Sequence, residues 1–184
     1  MKKSSSKKSH QKRTSKYAYV IIGLLVVAVL AWYCAQLPSK RVSPITPQQS
    51  EALNIPFVKQ GELTFISAAA SDTLARINIE VADDFESRRR GLMFRSSIPE
   101  NGGMLFLMEL EEMQSFWMQN THISLDILYV NANMKIIDIH ANTKILSEQS
   151  YFSSAPALYV VEVNAGFSYR NNINVGDKIS FVID

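Results

Sequence analysis

The segment ARINIEV, residues 75–81, alternates between apolar and polar side chains at every position. Its apolar members share one face of an extended chain: Ala75, Ile77, Ile79 and Val81. Because successive side chains of a β-strand point to opposite faces, this pattern predicts a half-buried strand. We therefore expect the surrounding domain to be built on a sheet.

A short helix is expected directly after this strand. Asp83 supplies an N-cap side chain, Glu86 is its capping-box partner three residues later, and Gly91 suits the C-terminal turn. About two helical turns fit between these signals.

Other apolar or alternating runs predict further strands at residues 63–67, 104–108, 127–130, 134–141, 158–164 and 178–183. A hairpin is expected at residues 131–133, because asparagine tolerates the left-handed backbone of short turns. About seven short strands with few helices favour a barrel or sandwich over a doubly wound sheet. We expect a mostly β (β-rich α+β), compact barrel-like domain with one or two short helices.

Residues 17–37 form the second strong signal because they contain no charged residue. As a helix they would reach about 30 Å, enough to cross the apolar core of a bilayer. Residues 1–16 carry seven basic residues and no acids, so the positive-inside tendency places the N-terminus in the cytoplasm. A cleaved signal peptide is the alternative, but bulky Trp32 and Tyr33 occupy the place of the expected small residues.

These observations divide the chain into four parts. Residues 1–16 are a basic cytoplasmic tail, 17–37 a single transmembrane anchor, 38–55 a flexible stem rich in Pro, Ser and Gln, and 56–184 an exported domain. The expected location is the cytoplasmic (inner) membrane, with the domain on the extracytoplasmic (periplasmic) side. The lipid bilayer is thus one expected partner.

The exported part has few cross-linking or nucleic-acid-binding features. Cys34 is the only cysteine, so an internal disulfide is excluded. From Pro56 onward, ten Lys and Arg face sixteen Asp and Glu, a net charge of 10 − 16 = −6. Nucleic-acid binding by this part is therefore not expected.

The run SFWMQNTHISLD, residues 115–126, holds the candidate ligand-binding residues. Trp117 would be an aromatic platform in a cleft, and Asn120, Thr121 and Asp126 would be the polar groups that orient a ligand. The alternative is structural: the Asn-Thr pair closes a turn, and Asp126 satisfies buried amides. Taken together, these residues are the best candidate site.

No metal or cofactor is expected. His122 and Asp126 are four residues apart, a spacing that converges only on a helix, and the turn and β-branched residues here oppose a helix. No second His or Cys completes a familiar ligand set. Gly91, Gly103 and Gly166 are better explained by backbone geometry than by phosphate binding.

Several motifs occur in a fixed order: RGLMF at 90–94, GMLF at 103–106, FWM at 116–118, NT at 120–121, LD at 125–126, YVVEVNAG at 159–166 and VGD at 175–177. This series, from about Ile77 to Phe181, resembles the family called domain of unknown function 192, or uncharacterised protein family 0127. The resemblance implies a small β-rich, barrel-like domain, often exported or membrane-anchored in prokaryotes, without an established activity. Arg90 lies in the first motif, and we expect it to pair with Asp126 or with a ligand carboxylate; the alternative is an exposed charge on the helix.

Two positions depart from the family pattern. Ser124 stands where a proline is usual, and Gln119 stands where a lysine is common. The second change removes a positive charge from any ligand surface and weakens the case for an anionic ligand shared across the family.

The leading hypothesis is a membrane-tethered extracytoplasmic binding or accessory module. Its unknown ligand would be a small molecule, a glycan or a protein segment, held in an apolar cleft walled by Arg90, Trp117, Asn120 and Asp126. A catalytic role is the weaker expectation, since no nucleophile, metal or phosphate motif is present. The alternatives are a hydrolase with Asp126 as general base and Asn120 as oxyanion donor, and an envelope scaffolding protein that uses an exposed apolar patch.

Overall fold

The structure of the protein, a computed structural model, describes residues 25–30, 32 and 51–184. The chain divides into two units between Gln48 and Gln49. Residues 25–30 and 32 are helical, and no helix within the described residues is long and apolar enough to cross a membrane. The expected tail at 1–16, most of the expected anchor at 17–37 and most of the stem at 38–55 lie outside the described residues.

The second unit is mostly β. Its elements, in chain order, are β1 (Gly61–Ile66), β2 (Thr73–Ala82), α1 (Phe85–Arg90), β3 (Gly102–Glu112), β4 (Ser115–Trp117), β5 (Leu125–Val130), β6 (Ile136–His140), β7 (Ser150–Phe152), β8 (Ala157–Asn164), α2 (Phe167–Arg170) and β9 (Lys178–Ile183). Each strand predicted from the sequence overlaps one of these strands. The short strands β4 and β7 are additional.

Seven strands form one mixed sheet in the order β6-β5-β8-β3-β2-β1-β9, and β4 pairs with β7 in a separate two-stranded sheet. Strands β2 and β3 are parallel, as expected where α1 lies between them in the chain. The other neighbours are antiparallel.

The barrel-like domain expected from the sequence is not closed within the described residues. Within residues 51–184 the two ends of the sheet approach each other at one isolated bridge, between Lys135, just before β6, and Lys178 of β9. Beside it, the Ile136 N–H donates to the carbonyl oxygen of Asp177 over 2.8 Å. Within the described residues no continuous ladder joins the two edges, because only the start of the five-residue β6 contacts the chain around the start of β9.

Apolar side chains cover both faces of the sheet. The first cluster includes Leu63, Phe65, Ile77, Ile79, Leu105, Leu128, Val130, Val161 and Val163. The second cluster includes Leu92, Met104, Phe106, Met118, Ile127, Tyr129 and Val160. Successive side chains of β3, β5 and β8 therefore lie in different clusters, because neighbouring residues of a strand point to opposite faces of the sheet.

Helix α1 begins one residue later than the sequence suggested. Asp84, not Asp83, is the N-cap: its carboxylate accepts the N–H groups of Glu86 and Ser87 over 2.7 and 2.9 Å. The Ser87 hydroxyl in turn accepts the Asp84 N–H over 3.1 Å. The capping box is thus Asp84 with Ser87, because serine also has the short oxygen-bearing side chain that this exchange needs.

The hairpin at residues 131–133 joins the antiparallel strands β5 and β6. Its left-handed residue is Met134, with φ of 60°. Asn131 acts through its side chain, whose Oδ1 accepts the N–H groups of Asn133 and Lys135 over 3.0 Å each. Asparagine therefore stabilises this turn by an Asx-type hydrogen bond and not by its own backbone conformation.

Candidate functional site

A cleft with a volume of about 340 Å³ opens beside the second cluster, between α1, the loop that follows it, β3 and β4. Its apolar lining consists of Phe85, Leu92, Met93, Phe106, Met108, Phe116 and Trp117. Its charged lining consists of Arg88, Arg89, Arg90 and Glu162. A volume of this size with mostly apolar walls and a few charged groups is typical of sites for small ligands.

Glu162 contributes a buried carboxyl group to this cleft. It lies on β8, is only 5% exposed, and pairs across the sheet with Met104 of β3 and Ile127 of β5. Within residues 51–184 its carboxyl forms no hydrogen bond and no ion pair. Burial raises the pKa of Glu162 to about 8, because desolvation disfavours the charged form. The carboxyl is therefore mostly protonated at neutral pH.

Gly91 lets the backbone after α1 approach this carboxyl. It has φ of 48° and ψ of −131°, a conformation that residues with a Cβ rarely adopt. A Cβ atom at this position would lie 3.1 Å from Cζ of Phe106 and 3.9 Å from Oε2 of Glu162. The glycine is therefore required by backbone geometry and by the space that the cleft needs.

Two of the three consecutive arginines of α1 are engaged by other groups. Arg88 donates to two backbone carbonyl oxygens and forms an ion pair with Glu109 over 2.6 Å. Arg89 pairs with Glu86 over 2.8 Å on the exposed face of the helix. Arg88, with a side chain only 17% exposed, is the one that reaches inward.

Arg90 is exposed and lines the cleft. Within residues 51–184 its side chain forms no ion pair and no hydrogen bond, so the pairing with Asp126 considered from the sequence is not formed. Its guanidinium group is available for an anionic group of a ligand.

Asp126 lies away from the cleft. Its fully buried carboxylate accepts three backbone N–H groups, from Asn142 over 2.9 Å, Gly166 over 3.0 Å and Ser168 over 2.9 Å. These bonds fix the segment after β6 and the start of α2 to strand β5. Asp126 is thus placed as a structural carboxylate.

Strand geometry explains this placement. Ile127 pairs directly with Glu162, and both side chains lie on the face of the second cluster. Asp126 is the preceding residue on β5, so its side chain points to the opposite face. The two carboxyl groups are therefore separated by the sheet.

Some residues of the run 115–126 line the cleft, and others hold the loop after α1 in place. Trp117, which is 47% exposed, and Thr121, which is 4% exposed, both line the cleft. Asn120 does not line it: this residue has φ of 54°, and its carbonyl oxygen accepts the N–H of Phe94 over 2.7 Å. Asn120 therefore fixes the loop after α1 through its backbone, while Trp117 and Thr121 line the cleft.

Glu162 was not among the residues selected from the sequence. The signal that could have found it is the run YVVEV at residues 159–163, in which one acid interrupts apolar residues that fill both faces of a strand. A charged residue in such a strand is rarely buried without a partner.

Comparison with known proteins agrees with the motif series. The profile of the family DUF192, described as "Uncharacterized ACR", matches residues 66–181, more than half of the chain. The chain belongs to this family. A UPF0127 protein of Pyrococcus furiosus is 27% identical over 111 residues, which cover 58% of this chain and 88% of that protein.

Two crystal structures resemble the described DUF192 domain. A protein of unknown function from Novosphingobium aromaticivorans has 33% identity and a TM-score of 0.61, with 65% of this chain and 83% of that chain covered. A protein of Sinorhizobium meliloti 1021, described as a candidate transcription regulator, has 31% identity and a TM-score of 0.64, with 68% and 98% covered. The family match includes every residue that lines the cleft, from Phe85 to Glu162.

Proposed function

We propose that this DUF192 domain is a binding module that holds a small, partly apolar ligand in the cleft beside Glu162. The observation that carries the proposal is the buried carboxyl of Glu162, which has no partner within residues 51–184. In the described part of the chain, the fully buried side-chain atoms that lack a hydrogen bond are Arg95 Nη1 and Ser168 Oγ, so the Glu162 oxygens reach the open space of the cleft. A ligand group in the cleft can therefore bond this carboxyl directly, and the apolar walls would add affinity.

The alternatives receive less support. A hydrolase that uses Asp126 as a general base needs this carboxylate beside the substrate, but its oxygens accept three backbone N–H groups on the other side of the sheet. A scaffolding role would use a broad apolar surface. Phe85 and Trp117 are exposed apolar residues of the cleft, while Leu110, Phe152 and Val182 are exposed outside it. The cleft combines an apolar surface with a concave shape and charged groups.

DNA binding, suggested by the description of the Sinorhizobium meliloti relative, does not suit this domain. Proteins that bind DNA neutralise phosphate groups with clustered Lys and Arg. From Pro56 onward this chain has ten such residues against sixteen acids. This net negative charge opposes contact with a phosphate backbone.

Replacement of Trp117 tests the binding proposal. The probe is 1-anilinonaphthalene-8-sulfonate, an apolar anion, titrated into the full-length chain while the indole N–H signals of Trp117 and Trp32 are followed by NMR. We expect a saturable shift of the Trp117 signal, and an affinity at least about 10-fold weaker in Trp117→Ala, because an aromatic wall contributes about 1–3 kcal/mol when buried by a ligand.

The matched control is Tyr169→Ala, which removes an aromatic side chain that is 88% exposed and lies outside the cleft. It should bind the probe like the wild type. The cleft is not the binding site if Trp117→Ala, folded as judged by its amide spectrum, keeps the wild-type affinity.

We propose in addition that residues 17–37 anchor the domain to the cytoplasmic membrane and that it faces the extracytoplasmic side. The uncharged composition of this segment and the basic residues before it support this orientation. Fusing alkaline phosphatase to the C-terminus should give active enzyme, and a green fluorescent protein fusion should stay dark. Deletion of residues 17–37 should reverse both results. A fluorescent, phosphatase-negative pair for the full-length chain would contradict the orientation.

A further inference from the structure

We infer that the ligand of this cleft is zwitterionic, with an ammonium group that binds the Glu162 carboxylate and an anionic group that binds Arg90. The inference rests on the proposed binding function and adds the charge pattern of the ligand.

The surroundings of Glu162 suit a cation. The rings of Phe106 and Phe116 line the cleft and pack edge to face with centroids 4.9 Å apart. Aromatic rings attract cations through their quadrupoles, and the thioethers of Met93 and Met108 are polarisable neighbours in the same lining. An ammonium group would also form a charge-assisted hydrogen bond to the carboxylate, which is stronger than a bond between neutral groups.

The protein itself does not supply this cation. Arg88 is bound to Glu109 and to two carbonyl oxygens, and Arg89 is bound to Glu86. Arg90 is exposed and makes no ion pair with Glu162 within residues 51–184. A positive partner for the ionised form of Glu162 would therefore come from the ligand.

The second charge follows from the arginines. The charges of Arg88 and Arg89 are compensated by Glu109 and Glu86, but Arg90 would repel a simple amine that approaches the cleft. A ligand that also carries a carboxylate or phosphate would instead gain a bond to Arg90. The opposite charges at two places in one cleft therefore favour a molecule with both an ammonium group and an anionic group.

Binding of an ammonium group is coupled to ionisation of Glu162. The charged or titratable groups around it are the three arginines of α1 and Tyr129 of β5, whose hydroxyl donates to the carbonyl oxygen of Tyr151 over 2.6 Å. Burial, and then the negative charge of Glu162, raises the pKa of Tyr129, so this phenol stays neutral. Because burial raises the pKa of Glu162 to about 8, binding of an ammonium group at lower pH releases a proton.

A set of four compounds with one six-carbon chain tests the inference: 6-aminohexanoate, hexylamine, hexanoate and hexanol. They differ only in their charged groups and are titrated into the full-length chain by calorimetry, with the four- and eight-carbon analogues as a length series. We expect the zwitterion to bind at least about 10-fold more tightly than the other three. Its affinity should rise up to about 10-fold per pH unit between pH 6 and 8.

Two variants test which side chain binds the ammonium group and which binds the carboxylate of the ligand. Glu162→Gln should abolish the preference for the two amines and the pH dependence, and Arg90→Ala should abolish the preference for the two carboxylates. Arg76→Ala removes an exposed arginine of β2 outside this cleft and should change neither.

The possible outcomes separate the inference from the function on which it rests. Equal binding of hexanol and 6-aminohexanoate would show that Glu162 acts as a neutral hydrogen-bond donor and would overturn the inference. The same holds if the sulfonate probe binds at Trp117 but none of the compounds does, or if Arg90→Ala leaves the carboxylate preference intact. If neither the probe nor any compound binds the folded wild type, the proposed binding function itself is wrong.

Discussion

Replacement of Asp126 with alanine is expected to destabilise the domain by about 4 kcal/mol. The carboxylate is fully buried and accepts the backbone N–H groups of Asn142, Gly166 and Ser168. Alanine would leave three donors without an acceptor, and each buried, unsatisfied donor costs about 1–3 kcal/mol. Urea denaturation of the full-length chain, followed by far-UV circular dichroism, measures this loss.

Two further variants control for the nature of the change. Asp126→Asn keeps one acceptor oxygen and the shape of the side chain, so we expect a smaller loss of about 2 kcal/mol. Asp72→Ala removes an exposed carboxylate and should change stability by less than about 0.5 kcal/mol. If Asp126→Ala is as stable as the wild type but no longer binds ligands, Asp126 has a direct functional role instead.

The strands were predictable where local alternation was strong. Residues 75–81 fall inside β2, and the last predicted strand coincides with β9. The strands β4 and β7 have three residues each, too few to show a period. It was also not predictable that the sheet stays open. Contact between β6 and β9 depends on the curvature of all seven strands and not on any local signal.

The candidate site was predictable only in part, for a related reason. Trp117, Thr121 and Arg90 all line the cleft, and their role in ligand binding stays a prediction. Asp126 and Glu162 lie on central strands that are apolar on both faces, so the alternation of neighbouring residues does not show which face carries the cleft. That choice depends on where α1 packs, which is a long-range property of the chain.

Glu162→Gln is expected to remove a pH dependence of stability that the wild type shows between about pH 4.5 and 8. Burial raises the pKa of Glu162 from 4.5 to about 8 in the folded protein. The folded state therefore holds this proton more tightly than the unfolded state. The resulting contribution to stability is fully present below pH 4.5 and is lost as the pH rises to about 8.

We expect the free energy of unfolding to fall by about 3 kcal/mol across this range. Each unit of pKa difference is worth about 1.4 kcal/mol, and relaxation of the buried site around the charged group reduces the total.

Glutamine has nearly the shape of protonated glutamate but does not titrate. At pH 4.5 the variant should be within about 1 kcal/mol of the wild type, and at pH 8.5 it should be more stable by about 3 kcal/mol. Glu148→Gln, which changes an exposed acid, should instead follow the wild-type profile. Parallel profiles of the wild type and Glu162→Gln would show that water reaches the carboxyl freely.

Saturating 6-aminohexanoate should raise the stability of the wild type at pH 8.5 but not that of Glu162→Gln. Only an ionised Glu162 can pair with the ammonium group of this compound.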